Sequence, residues 1–292
     1  MHVVSYRYRE ACHLGMLSAD MSSIISFDIS EAKAKTGLLA LIESAPSLLP
    51  LRNSDDPTPL EAVEILAPIP HPRRNIFCVG KNYFAHVQEI ATAGFDIADS
   101  RGKAPEVPIV FSKLPACVVG HNAPIVLNRN VTNQLDYEAE LGVVIGKEVK
   151  CVSAKEAMDC VWGYTIINDV SARDVQASHK QWLLGKSQDT FCPMGPFAVS
   201  KNLIDLTDTS IKCWVNDELR QDGNTALMIF DVPSLIETIS AGITLYPGDV
   251  IATGTPAGVG AGFNPPKFLK NNDTVTIEIS GIGTLVNKVM SK

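Results

Sequence analysis

From Asn75 to the C-terminus the chain is a succession of short apolar runs broken by Gly, Pro and Asn, and this texture restricts the fold more than any other feature. Ile76–Val79, Ile109–Phe111, Glu138–Ile145, Gly163–Asn168, Ile211–Val215, Val250–Thr253, Thr274–Ile279 and Thr284–Val289 have the length and branched-residue content of strands. Helices interrupt them at few points. Ser153-Ala-Lys-Glu156 and Ser234-Leu-Ile-Glu237 have capping-box spacing, and Gly242 suits a helix C-terminus. There is no regular strand–helix alternation, which argues against a doubly wound sheet or a (β/α)8 barrel. No internal repeat is visible. The fold class read here is α+β and β-rich.

Residues 1–74 differ in texture. Ser30 reads as the N-cap of one helix whose stripe is Leu38, Leu39, Leu41 and Ile42. Prolines from Pro57 to Pro72 then read as an extended connector. The division expected is a small N-terminal domain with its connector, 1–74, and a second domain, 75–292, which suits a chain of 292 residues.

Several classes of function are disfavoured. A net charge of −7 without a basic block argues against nucleic acid or an anionic membrane as partner. No apolar run approaches the ~18 residues of a membrane span. The segment Met1–Asp20 carries Arg7, Arg9, Glu10 and Asp20 and no apolar core of a signal sequence, so a cytoplasmic protein is expected. Seven cysteines without C-x-x-C read as buried or inert thiols in a reducing compartment, with no zinc or thioredoxin signature. Gly185-Lys-Ser187 ends like a P-loop, but position 180, where its first glycine belongs, is Lys180. The glycines from Gly254 to Gly262 lack dinucleotide-binding spacing, and no G-x-S-x-G elbow is present. Ser30-Glu-Ala-Lys33 fits the S-x-x-K acyl-enzyme pattern without its partner motifs, so a helix cap is the better reading.

Three local patterns carry chemistry. In Asp136-Tyr-Glu138-Ala-Glu140 the carboxylates share one strand face, where they repel and a cation is the simplest relief. An acidic solvent face is the alternative, but the run continues into Val143-Val144-Ile145, which reads as buried on both faces. The apolar run from Gly163 ends in Asn168-Asp169, and a carboxylate there is costly unless paired, metal-bound or capping a helix. Ser171 is placed to cap a helix bearing Arg173, Gln176 and Lys180. Three hard carboxylates suit Mg²⁺, Mn²⁺ or Ca²⁺ rather than zinc. His86 and Glu89, at i and i+3, touch on a helix and form a general-base pair or merely a surface pair. The stretch Ala93 to Ala104, with Gly94 and Gly102, reads as a mobile loop.

The blocks occur together in a telling order: Cys78-Val-Gly-Lys-Asn-Tyr…His86-x-x-Glu89, Pro108-x-Val-Phe-Ser-Lys113, Asp136-Tyr-Glu138-Ala-Glu140-Leu-Gly-Val-Val-Ile-Gly, Asn168-Asp-Val-Ser-Ala-Arg-Asp174-x-Gln176, Gly185-Lys-Ser…Asp189-Thr-Phe-Cys-Pro193, Asn216-x-Glu-Leu-Arg-Gln221 and Pro247-Gly-Asp249-Val-Ile-x-Thr-Gly-Thr255. In these the chain resembles the fumarylacetoacetate hydrolase family from Asn75 onward, while 1–74 matches only loosely the variable N-terminal domain of some members. The resemblance implies a mixed β-roll domain and a homodimer. It implies a divalent metal on Glu138, Glu140 and Asp169, with Asp136 outside the ligand set. It implies a His86–Glu89 dyad on a closing lid, a catalytic Lys186, and a substrate site lined by Lys81, Arg173, Gln176, Thr190 and Thr255.

The family's substrates, small anionic 2-oxo and 1,3-diketo acids, can chelate Mg²⁺ or Mn²⁺, which stabilises an enolate. The first expectation is hydrolysis of a C–C bond in an acylpyruvate-type substrate, with His86 and Glu89 activating water and Lys186 meeting the oxyanion or the substrate carboxylate. The rivals use the same site without water: decarboxylation or tautomerisation of oxaloacetate, or isomerisation of a 5-carboxymethyl-2-hydroxymuconate-type acid. A non-catalytic ligand-binding protein on this fold is the alternative of another class, opposed by the intact triad and dyad. Lys81, Lys113 and Arg173 offer positive charge to an anionic substrate.

Overall fold

The computed structural model describes residues 1–44, 57–95 and 102–292. Its largest sheet runs in the order Thr58–Pro59, Ser23–Ser26, Ala11–Leu17, His2–Tyr8, Cys192–Ser200, Val161–Asn168, Ala139–Ile145, Val250–Ala252, Ile76–Gly80 and Ile109–Lys113. Glu64–Ile65 and Val118–Val119 pair with it at the side. Pairing is antiparallel except between Val250–Ala252 and Ile76–Gly80 and between Val118–Val119 and the strand from Cys192. A second sheet holds Glu218–Asn224, Ser210–Val215, Thr274–Ile279, Gly283–Ser291 and Ile125–Leu127. The molecule is thus β-rich with mixed sheets, as expected. Among the described residues no helix is long and apolar enough to cross a membrane.

The strand Ala139–Ile145 lies deep in the large sheet and is buried along its whole length. That explains why Leu141, Val143, Val144 and Ile145 form a continuous apolar run rather than an alternating one. Gly142 within it lies close to the neighbouring strand: a Cβ there would stand 2.8 Å from Ile167 Cδ1.

The first 74 residues differ from the sequence expectation. Three strands, His2–Tyr8, Ala11–Leu17 and Ser23–Ser26, precede any helix. The first has Val3, Val4, Ser5 and Tyr6 all buried, so it shows no two-residue period. It joins the large sheet by pairing His2 with Val199 and Val3 with Ala198. The single expected helix is two, Glu31–Ala34 and Leu38–Glu43, broken at Gly37 with φ of +62°. A Cβ at Gly37 would meet the Pro68 carbonyl at 2.2 Å. The proline stretch is docked there, since Pro68 O accepts from Leu38 N–H at 2.7 Å and Ser5 Oγ at 3.0 Å.

Other local expectations shift. The helix expected at Ser234 starts earlier, as Val232–Ser240, capped by Asp231, because Asp231 accepts from Ser234 N–H and Pro233 suits the first turn. Ser153 precedes its helix but gives its hydroxyl to Glu156 at 2.7 Å instead of capping the backbone. Ser171 is no cap: it belongs to a short strand, Ser171–Ala172, and its hydroxyl donates to Asp169 O. Of the expected mobile loop, residues 96–101 lie outside the described ones.

Candidate metal and active site

Two antiparallel neighbours end together at the site. Ala139 pairs with Asn168 and Glu140 with Ile167, so Glu138 and Asp169 face each other just past the ladder, joined by Asp169 N–H to Glu138 O at 2.9 Å. On the other side of the acidic strand, Gly142 pairs with Ala252, which brings Gly254 N–H to Glu140 Oε2 at 2.8 Å. Ile76–Gly80 follows in the sheet and delivers Lys81 to the same end. Carboxylate oxygens of Glu138, Glu140 and Asp169 all lie within 4.8 Å of one another, and all three residues are buried.

Three cations hold Glu138 and Asp169. Lys186 Nζ donates to Glu138 Oε2 and Asp169 Oδ2, both at 2.7 Å. Lys113, fully buried, donates to Asp169 Oδ1 at 2.6 Å, to Val170 O at 3.1 Å and to Lys186 O. An ammonium has three donors, so none of Lys113's is left for a substrate. Arg173 meets Glu138 Oε1 at 2.7 Å through Nη1 and Asp136 Oδ2 at 2.9 Å through Nε. Asp136 is saturated by this contact and by the N–H groups of Tyr137, Gly260 and Ala261. It anchors the loop and the arginine and stands apart from the triad.

Among the described residues Asp136, Glu138 and Asp169 each have an ion pair with Lys113, Arg173 or Lys186, and Glu140 has none. Burial first, then Asp169 and Glu138, push the Glu140 carboxyl well above the usual range. Burial opposes Glu138 too, but Lys186, Arg173 and His86 outweigh it and hold that carboxyl at about 2. The donor set fits a hard divalent cation: three clustered buried oxygen ligands, one of them lacking a counter-charge. Such an ion would be held by Glu138, Glu140 and Asp169.

The helix Phe84–Thr92 brings the dyad to the same place. His86 is buried and its Nδ1 stands 3.2 Å from Glu89 Oε2, while Glu89 Oε1 accepts from Gly258 N–H at 2.8 Å. Gly262 makes room for this carboxylate, because a Cβ there would sit 2.1 Å from Glu89 Oε1. Ile90 on the same helix packs with Val259 and Ala261. Lys81, His86, Glu138, Glu140, Arg173, Gln176, Lys186 and Thr255 line one pocket. The pocket is narrow: about 50 Å³ of it is open to the centres of water molecules, room for a few waters. Among the described residues Arg173 Nη2, buried at this pocket, has no hydrogen-bond partner, and such an orphaned donor is a place for an anionic ligand.

The structure therefore brings His86, Glu89, Lys186, the triad, Lys81, Arg173, Gln176 and Thr255 together. Thr255 is tied down: its hydroxyl donates to Ala139 O at 2.9 Å and accepts from Gln221 Nε2 at 2.7 Å. Thr190 does not join them. Its Oγ1 accepts from Val126 N–H at 2.8 Å, outside the pocket lining, so it braces a strand. Lys113 likewise is not a substrate cation, because its charge and donors are spent on Asp169 and two carbonyls. Sequence reasoning passed over Asn82, which lay within the Cys78–Tyr83 block. Its amide bonds Phe230 N–H and O and Thr253 O, fixing the turn that carries Lys81. It also passed over Phe111 and Trp182, which line the pocket.

The profile of the family described as Fumarylacetoacetate (FAA) hydrolase C-terminal matches residues 75–290. The oxaloacetate tautomerase YisK of Bacillus subtilis is 50% identical over 231 residues, covering 79% of this chain and 74% of the relative. The mitochondrial oxaloacetate tautomerase FAHD2B of Bos taurus is 40% identical over 286 residues, 95% of this chain and 87% of the relative. The solved structure of the fumarylacetoacetate hydrolase of Exiguobacterium antarcticum superposes with a TM-score of 0.81 at 37% identity, each chain covered completely.

Proposed function

The chain belongs to the fumarylacetoacetate hydrolase family, and from that premise we propose that it is a divalent-metal-dependent enzyme that interconverts the keto and enol forms of oxaloacetate or a close 2-oxo dicarboxylate. The observation that carries this reading is that His86, paired with Glu89, lines the same narrow pocket as Glu138 and Glu140 of the carboxylate cluster. A bound Mg²⁺ or Mn²⁺ would draw electron density from the substrate's 2-oxo and carboxylate oxygens and so acidify the adjacent C–H.

Each residue then has a task. His86 takes the proton from C3 of the keto form and delivers it to the 2-oxo oxygen, so that the C–H bond broken is matched by the enol O–H bond formed, and the reverse direction returns that proton to C3; the imidazole is held in place by Glu89, which is itself anchored on Gly258. The orphaned Arg173 Nη2 takes a substrate carboxylate. Lys186 lies beside two ligand carboxylates, where its ammonium offsets the negative charge that develops on the 2-oxo oxygen. The tight walls keep bulk water from the reacting carbon.

The sequence by itself favours C–C hydrolysis, with tautomerisation among the rivals. The two tautomerase relatives move the weight to tautomerisation. A product assay with Mg²⁺ separates the chemistries. On oxaloacetate, enol–keto exchange without loss of carbon is expected. CO₂ plus pyruvate would mean decarboxylation, and cleavage of acetylpyruvate to acetate and pyruvate would restore hydrolysis.

A further inference from the structure

Resting on the reading above, we propose that Trp182 closes the apolar end of the pocket and confines the site to 2-oxo dicarboxylates of short chain. Trp182 lies one helical turn before Lys186, whose N–H donates to Trp182 O at 3.0 Å, so the two side chains share a face. Phe111 fixes both. The indole meets its ring edge-on at 4.9 Å and 77°, and Lys186 Nζ stands 5.2 Å over the same ring.

A Cβ at Gly80 would lie 2.5 Å from Trp182 Cζ3 and 2.8 Å from Cη2, so the ring rests directly on the backbone that leads into Lys81. Across the pocket, Ile90 and Phe95 complete the apolar belt, and Phe95 is backed by Phe268 at 6.1 Å. Val79, Ile90, Phe95, Phe111 and Trp182 offer no charge to a second carboxylate carried at the end of a long chain. Glu138, Glu140, Arg173 and Lys186 converge on the metal side, which suits a substrate whose two carboxylates lie close together. Pockets of this kind discriminate by size, each misfitting methylene being worth about tenfold or more.

The test is calorimetric binding, in Mg²⁺, of the series oxaloacetate, 2-oxoglutarate, 2-oxoadipate and 2-oxopimelate to the wild type, Trp182→Phe and Trp182→Ala. For the wild type the seven-carbon acid is expected to bind at least about tenfold more weakly than the four-carbon acid. In Trp182→Ala the ratio should fall below about threefold, with Trp182→Phe between, since each variant widens the far end in turn. A flat wild-type profile, or an unchanged ratio in a Trp182→Phe protein of native near-ultraviolet dichroism, overturns the proposal. Binding is read apart from turnover. A length-selective profile in a protein without tautomerase activity would keep the gate and refute the assigned reaction.

Discussion

Asp169 has both oxygens on ammonium groups, Oδ1 on Lys113 and Oδ2 on Lys186. The two lysines are not equivalent. Lys113 is sealed from solvent and fully engaged, whereas Lys186 lines the pocket. Removing one member of a buried pair leaves the other uncompensated, at a cost of about 3–5 kcal/mol. Lys113→Met is therefore predicted to lower the unfolding free energy by about that amount, measured by urea titration. A loss under about 1 kcal/mol would mean that Asp169 finds another partner. Glu138 makes a pH prediction for the metal-free protein. Its carboxyl is held at about 2 in the fold against an ordinary 4.5. Its contribution is thus fully present above about 4.5 and is lost as pH falls toward 2. Glu140 works in the opposite sense, since its raised carboxyl favours the fold as the neutral acid and that share fades as pH rises. Glu138→Gln should flatten the acid limb of stability against pH, and an unaltered limb would contradict the ion-pair account. The carboxylates were legible in the sequence because alternation along a strand is a local rule. The role of Lys113 was not, because its partners lie 56 and 73 residues away and only the fold shows that they saturate it.

The helix Phe84–Thr92 and the glycine loop after Thr255 act as one unit. The helix supplies the dyad and the loop supplies its anchor through Gly258 N–H. The loop leaves no room for a Cβ at Gly258, Gly260 or Gly262. At Gly258, with φ of +105°, a Cβ would lie 1.9 Å from Arg220 O, and at Gly262 it would strike Glu89. Gly262→Ala is the informative change, because the clash falls on a side chain rather than on the sheet. It should displace Glu89, leave His86 poorly oriented and lower kcat by about 10²-fold, as misplacement of about 1 Å commonly does. The melting temperature should move by only a few degrees, and a variant with full kcat would show that Glu89 does not position His86. The spacing of His86 and Glu89 predicted their contact on a helix, and the structure has it. The glycines were visible as a motif too, but their purpose was not: close approach between segments far apart in sequence leaves no periodic trace.

Across the whole molecule, one sheet joins the N-terminal strands to the strands that carry the site. The pairing of Val3 with Ala198 and the core shared by Leu14, Leu41, Val143 and Ile166 tie the first residues to the catalytic scaffold. That continuity was hidden in the sequence, because a strand buried on both faces has no alternation and the proline stretch looked like a boundary. The sheet holds the carboxylates rigidly on paired strand ends, while the dyad comes from a helix laid over them, and this division of labour is the basis for the proposed chemistry. It is tested most directly by following the ultraviolet absorbance of enol-oxaloacetate as it relaxes to the keto form. The measurement is made with Mg²⁺, with excess EDTA, and with His86→Ala in Mg²⁺. The account predicts rapid relaxation in Mg²⁺, only the uncatalysed rate in EDTA, and a loss of about 10²–10⁴ in kcat for His86→Ala. Rapid relaxation in EDTA, or full activity in His86→Ala, would contradict it.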